Sequence, residues 1–336
     1  MTQSIARLQQ LPLDQRFDQE IDKLKTDTAQ VGRSNVLGWA RSVASAHGNR
    51  QTELQFTFVD ESGHGKGPTS EFFTLVASAF LDASLGMWIY SGELDGSPVS
   101  KVVIAGEDGV FPQPFSANMK GLDAVLQNFT LLGVMIGKAL SAGQMLPLPM
   151  SLTFAKAICG IPLEFTDLSR AAGKLNFKQF KNFCNMITRH RCLSGDEADD
   201  YRAHCDAYLM SICVYFAKSV VHVVDGKWVR SDVELIEGGS DIPLTFDRLQ
   251  QYIDATQNFY LGDGICLQVE VSFCAACVFL SSISFMSQAV RAGIASVFPP
   301  NSLAILGPLG LLQALGCMKV RFASPFHTRK FSSMTG

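Results

Sequence analysis

No block of like charge runs through this 336-residue chain: 28 Lys and Arg stand against 31 Asp and Glu, a net charge of −3. That balance offers no electrostatic footprint for nucleic acid or for an anionic membrane surface, so neither is expected as a partner. The opening residues are polar and charged and hold no apolar h-region, which argues against a secretory signal. A disulfide framework is missing too. The nine cysteines are odd in number, irregularly spaced and mostly set in apolar runs, which is the pattern of reduced thiols. The expected location is therefore intracellular, cytoplasmic or nuclear.

Several catalytic and metal signatures are lacking. Gly63, Gly65 and Gly67 precede a helix-forming stretch, but a P-loop needs Lys followed by Ser or Thr, and here Lys66 is followed by Gly67 and Pro68. Proline also removes one of the amides that would cradle phosphate. No Gly-x-Ser-x-Gly elbow accompanies any of the six histidines. His190, Cys192, His204 and Cys205 lie close together but match no paired zinc spacing. Cys274 and Cys277 have redox-pair spacing without the strand context of a thioredoxin-like site. Neither a metal nor a cofactor is expected.

What is present is apolar material, 47% of the chain, enough for one large core or two. Leu122, Val125, Leu126, Phe129, Leu132, Ile136 and Leu140 recur with a period near 3.6 and predict a core helix over 121–140. Gly133 and Gly137, one turn apart on it, invite close approach of a neighbouring element. Pro147 and Pro149 forbid helix across 146–150, and Ser151 can cap a helix over 152–159, closed by Gly160 and Pro162. Further helices are expected over 35–47, 71–81 (capped by Thr69 or Ser70) and 246–259, the last with Leu249, Tyr252, Ile253 and Phe259 inward. The alternation in Leu54-Gln-Phe-Thr-Phe-Val predicts a half-buried strand. Residues 1–34 read as a lead-in, either an amphipathic helix or a loosely held segment.

The ordered set Phe111-Pro-Gln-Pro, Leu131-Leu-Gly-Val-Met-Ile-Gly-Lys-Ala-Leu, Leu146-Pro-Leu-Pro and Phe154-Ala-Lys-Ala-Ile-Cys-Gly-Ile-Pro-Leu resembles the middle of a HECT-type ubiquitin-protein ligase domain. Gly238-Gly-Ser-Asp-Ile-Pro-Leu-Thr before the Leu249 to Tyr252 turn resembles a later part of the same family, as does Arg291-Ala-Gly. The resemblance implies an α+β, mostly helical large lobe with small antiparallel strand pairs over residues 35–317. It also implies a small subdomain over about 163–235 that receives a ubiquitin-conjugating enzyme, or E2. The residues implied to bind the E2 are Leu175, Phe177, Phe180, Phe183, Met186, Ile187, Tyr208 and Ile212. The partners implied are the E2, ubiquitin and an unknown protein substrate.

Two departures from the family pattern shape the functional expectation. Residues 269–290 form an apolar insertion, uncharged from Val271 to Val290, which could be a membrane span, a helical insertion or retained non-coding sequence. The family's second lobe carries a Leu-Pro-x-x-x-Thr-Cys segment whose cysteine takes ubiquitin as a thioester; here a basic tail, 318–336, without cysteine follows instead. Cys317 lacks the Thr-Cys setting and is not expected to be a nucleophile, so no catalytic residue is assigned. The chain is expected to keep the E2-docking half of ubiquitin transfer. The competing readings are a ligase completed by a further lobe, a non-catalytic E2 binder and a decayed fragment.

Overall fold

The structure is a computed structural model and describes residues 26–48, 53–89, 109–114, 121–167, 174–224, 226–261, 282–298 and 300–317. Strand β1 (Thr26–Val31) falls inside the expected lead-in, and helix α1 (Val36–His47) carries the chain across to strand β2 (Glu53–Phe58). The two strands pair in parallel, Thr26 opposite Glu53 and Val31 opposite Phe58. This corrects the expectation of antiparallel pairs for one of the two. A crossover helix delivers the chain back to the same end of the sheet, which is how parallel neighbours are joined, whereas a tight hairpin cannot do so. On β2, Leu54, Phe56 and Phe58 are buried and their neighbours are half-buried, the predicted alternation.

Helix α2 (Lys66–Ala79) starts earlier than the expected Glu71. Pro68 stands in its first turn, where the missing N–H would have had no intrahelical acceptor. Thr69, a predicted cap, instead donates its hydroxyl to the Gly65 carbonyl and accepts from the Phe56 amide at 3.0 Å, tying α2 to β2. Phe72 and Phe73 then pack on Phe56, with ring centroids 4.3 and 5.6 Å from it.

The centre is helix α3 (Leu122–Ser141), the long apolar helix predicted from periodicity. By length and composition it could cross a membrane, but 67% of its apolar window is buried inside the protein, which marks it as a core helix. Phe129 forms an edge-on aromatic trio with Trp88 and Phe154, centroids 5.3 to 6.1 Å apart. Helix α4 (Leu152–Ile158) is capped as expected, the Ser151 hydroxyl accepting from the Phe154 amide at 3.2 Å.

The chain continues through α5 (Lys174–His190), α6 (Asp196–Ser211), an antiparallel hairpin of β3 (Ala217–Val224) and β4 (Lys227–Glu234), and α7 (Leu249–Tyr260). On α7 the four predicted inward residues are all buried. Helices α8 (Ser282–Ala295) and α9 (Pro300–Ala314) close the described fold. Helix α8 crosses α3 at its glycines: a Cβ on Gly133 would fall on the Val290 carbonyl, and one on Gly293 would fall on the Thr130 carbonyl. Gly133 and Gly293 therefore admit each other's helix. Of the apolar stretch 271–290, residues 271–281 lie outside the described residues, and Met286 and Val290 are fully buried.

Candidate functional site

The small subdomain is built on an aromatic cluster. Phe180 and Phe183 point inward from α5, and Phe216 enters just before β3; all three surround Tyr252 of α7 at centroid distances of 5.3 to 6.0 Å. Backbone hydrogen bonds fix the surrounding turns: the Leu235 amide donates to Phe216 at 2.7 Å and the Leu244 amide to Val214 at 2.8 Å. Asp206 accepts from the Phe246 amide at 2.7 Å, and Arg202 pairs with Asp247, so α6 is clamped to the turn that starts α7. The His190 ring lies 4.8 Å from the Phe246 ring.

A buried amide ties this subdomain to the larger part. Gln113, 2% exposed, donates from Nε2 to the Val221 carbonyl of β3 at 2.6 Å, while its own backbone amide donates to Met87 at 3.0 Å. The Phe-Pro-Gln-Pro segment that carries the family resemblance thus positions the hairpin.

The expected E2-binding residues fall into distinct environments. Phe180 and Phe183 are core residues at 1% and 0% exposure, and their rings are spent on Tyr252. Phe177, Met186, Ile187 and Ile212 are half-buried against the same core. Leu175 lies on the first turn of α5, and its side chain falls outside the described residues. Tyr208 is exposed, and the same stretch of chain also exposes Met210 at 68% and Tyr215 at 42%. The sequence reading passed over Met210 and Tyr215. Cys205 and Leu209, four residues apart, form the buried stripe of α6; the helical period turns Met210 away from that stripe and leaves Tyr208 at its edge.

Four thiols among the described residues, Cys159, Cys184, Cys205 and Cys317, sit where burial disfavours the thiolate. Burial pushes the Cys317 thiol up to about 11, and its sulfur donates to the Leu146 carbonyl at 3.6 Å. Burial likewise pushes Cys159 up to about 11, against the opposing influence of Arg291. Cys184 and Cys205 are also raised, desolvation being the main cause in both. A reactive thiol needs the opposite environment, one that favours thiolate. Among the described residues no three His, Cys, Asp or Glu side chains converge on a metal-sized site. His204 and Cys192 face solvent while Cys205 points into the core.

Comparison with known proteins places this architecture. The HECT-domain (ubiquitin-transferase) family matches residues 74–320. The chain is 32% identical over 245 residues to the E3 ubiquitin-protein ligase UPL4 of Arabidopsis thaliana, covering 71% of this chain and 16% of that protein. It is 25% identical over 341 residues to the E3 ubiquitin-protein ligase Ufd4 of Drosophila melanogaster, covering 78% and 12%. It is also 25% identical over 318 residues to the E3 ubiquitin-protein ligase TRIP12 of Danio rerio, covering 90% and 14%. The chain thus spans only a small part of the length of these relatives. The aromatic subdomain, the glycine-crossed helices and the Phe-Pro-Gln-Pro tether all lie within the matched stretch, and the chain belongs to the HECT-domain family.

Proposed function

We propose that this chain is the E2-docking lobe of a HECT-type ubiquitin ligase, with ubiquitin and a protein substrate as the further partners. The observation that carries the reading is the exposure of three large apolar side chains, Tyr208, Met210 and Tyr215, on the clamped small subdomain inside the family match. Large apolar side chains held outward by a rigid frame are what a protein partner buries. In this reading Tyr208 and Met210 supply the contact, Phe177, Met186, Ile187 and Ile212 support it at the margin, and Phe180 and Phe183 hold the frame. Cys159, Cys184, Cys205 and Cys317 are displaced away from thiolate, so the sulfur that would accept ubiquitin is assigned to none of these four. A cysteine that accepts ubiquitin must be a free thiol, the state that a reducing intracellular compartment maintains, and that compartment is part of the proposal.

The test is a titration of a panel of ubiquitin-charged E2 enzymes against the purified chain. Binding of at least one E2, weakened about tenfold or more by Met210→Ser with unchanged melting temperature, supports the reading. Failure of every E2 to bind a cooperatively folded chain rejects it.

A further inference from the structure

The net charge of −3 conceals an uneven distribution. After Glu270 the chain holds five Lys and Arg and no Asp or Glu, so its last 66 residues carry a net charge of +5. Four of the five cations, Lys319, Arg321, Arg329 and Lys330, belong to the tail that follows α9, a segment outside the described residues; the fifth, Arg291, is exposed on α8. Within the same acid-free portion α9 presents an apolar knuckle. From Leu303 to Leu312 no side chain is polar, yet Ile305 is 87% exposed and Leu309 57%, with Leu306 exposed between them. A helix packed on a core by one face ordinarily carries polar residues on the other. The helix breaks at the knuckle: Gly307 takes φ 64 and ψ 172, a region that favours glycine, and Pro308 follows, with no N–H to satisfy. Leu303 on one side and Leu311 and Leu312 on the other are buried and hold both ends in the core. Met145, also exposed, lies against Gly316 just past the end of α9.

We propose that the knuckle of α9 and the basic tail beside it dock together on an anionic phospholipid surface. Ile305, Leu306 and Leu309 enter the boundary between headgroups and acyl chains, while Lys319, Arg321, Arg329 and Lys330 meet the lipid phosphates. Each half is weak alone: three aliphatic side chains bury little area, and surface cations are screened by salt. Together they supply the two signals that stable peripheral attachment takes. The break suits this role, because backbone lowered toward lipid must leave no amide unsatisfied, and Pro308 has none. With no Asp or Glu in the same stretch, nothing there opposes an anionic surface. A second copy of the chain fits less well, since a two-fold contact would set this positive portion against itself. Nucleic acid would use the cations but leave the knuckle in water. The membrane contact does not depend on E2 docking, because Tyr208, Met210 and Tyr215 belong to a different subdomain.

The test is co-sedimentation of the full chain with vesicles of phosphatidylcholine, alone or mixed with phosphatidylserine. Binding to the mixed vesicles should be about tenfold tighter than to phosphatidylcholine and should weaken as salt is raised. Ile305→Ser combined with Leu309→Ser should weaken it about tenfold with unchanged melting temperature, since both side chains are exposed. Glutamine at all four tail cations should remove the preference for phosphatidylserine. Failure of the unmutated chain to bind the mixed vesicles overturns the proposal, and because no substitution is involved it cannot be blamed on a misfolded variant. Binding that the Ile305→Ser, Leu309→Ser chain retains in full overturns it too. Gel filtration without lipid tests the other occupant: a dimer of the parent that this double variant loses would assign the knuckle to a second copy and overturn lipid docking.

Discussion

The crossing of α3 and α8 and the small subdomain of α5 to α7 solve the packing problem in opposite ways. At the crossing, side chains are removed: Gly133 and Gly293 bring two backbones together, and the fit tolerates no added atom. In the small subdomain, side chains are accumulated: four aromatic rings and Lys218 fill the space between two helices and a hairpin. A joint made by subtraction is rigid but can do little else, whereas one made of large rings leaves polar and apolar groups near the surface that are open to chemistry and partners. The difference shows why the candidate E2 contact lies in the second region.

The largest effect should come from removing a ring. Phe180→Ala is expected to destabilise the chain by about 4 kcal/mol, measured by urea unfolding, because a fully buried phenyl leaves a cavity beside Tyr252. The family resemblance implies that this residue binds the E2; its burial at 1% exposure makes stability the first property its loss should change. A loss under about 1 kcal/mol would mean that the cluster collapses around the gap and is looser than its geometry indicates.

Adding one methyl group to the other region should cost nearly as much. Gly133→Ala forces a Cβ into the Val290 carbonyl, and since backbone cannot swing aside as a side chain can, a loss of about 3 kcal/mol is expected. Gly67→Ala is the matched control: a Cβ there meets nothing within 4 Å, and the helical position should gain about 0.5 kcal/mol. If the two substitutions gave equal melting temperatures, the close crossing would be wrong.

Lys218→Met sharpens the contrast by changing charge with little change in volume. Burial lowers the folded-state value from 10.5 to about 8, so the folded chain binds this proton less readily than the unfolded chain. The penalty is fully present below the folded value and is relieved as pH rises toward the unfolded one. With the attraction of the rings discounted, the methionine variant should be more stable than the parent by about 2 kcal/mol at pH 7.5. That advantage should shrink by about 1 kcal/mol by pH 9. An advantage that does not change with pH would show that the lysine is not desolvated.

The same contrast governs what is legible in the amino-acid sequence. Helix α3, its glycines, the Ser151 cap and the inward face of α7 were legible because each rests on a local rule: a helical period, a missing side chain, a cap hydroxyl. The parallel pairing of β1 and β2 was not, since orientation depends on where the intervening helix sends the chain. The site was only half legible. The aromatics of α5 were visible as apolar residues, but a periodicity of mixed three- and four-residue steps does not say which of them face a core made by α7, a helix some sixty residues further on. Lys218 left no mark at all, because its setting is made by Phe180 and Tyr252, each on a different element.

The smallest expected effect on stability belongs to the outermost residue, and it separates the roles within the small subdomain. Met210 is 68% exposed on α6, so replacing it by serine removes little buried area, and the unfolding free energy should move by less than about 0.5 kcal/mol. If the exposed group is where a partner lands, the same substitution should weaken E2 binding about tenfold, read by titration on the same preparation. Phe180→Ala should do the reverse, lowering stability first and affinity only through the folded fraction. Two variants of one subdomain with opposite profiles would show that its rings hold the frame and its surface makes the contact; parallel losses in both measurements would mean that frame and contact are one structure.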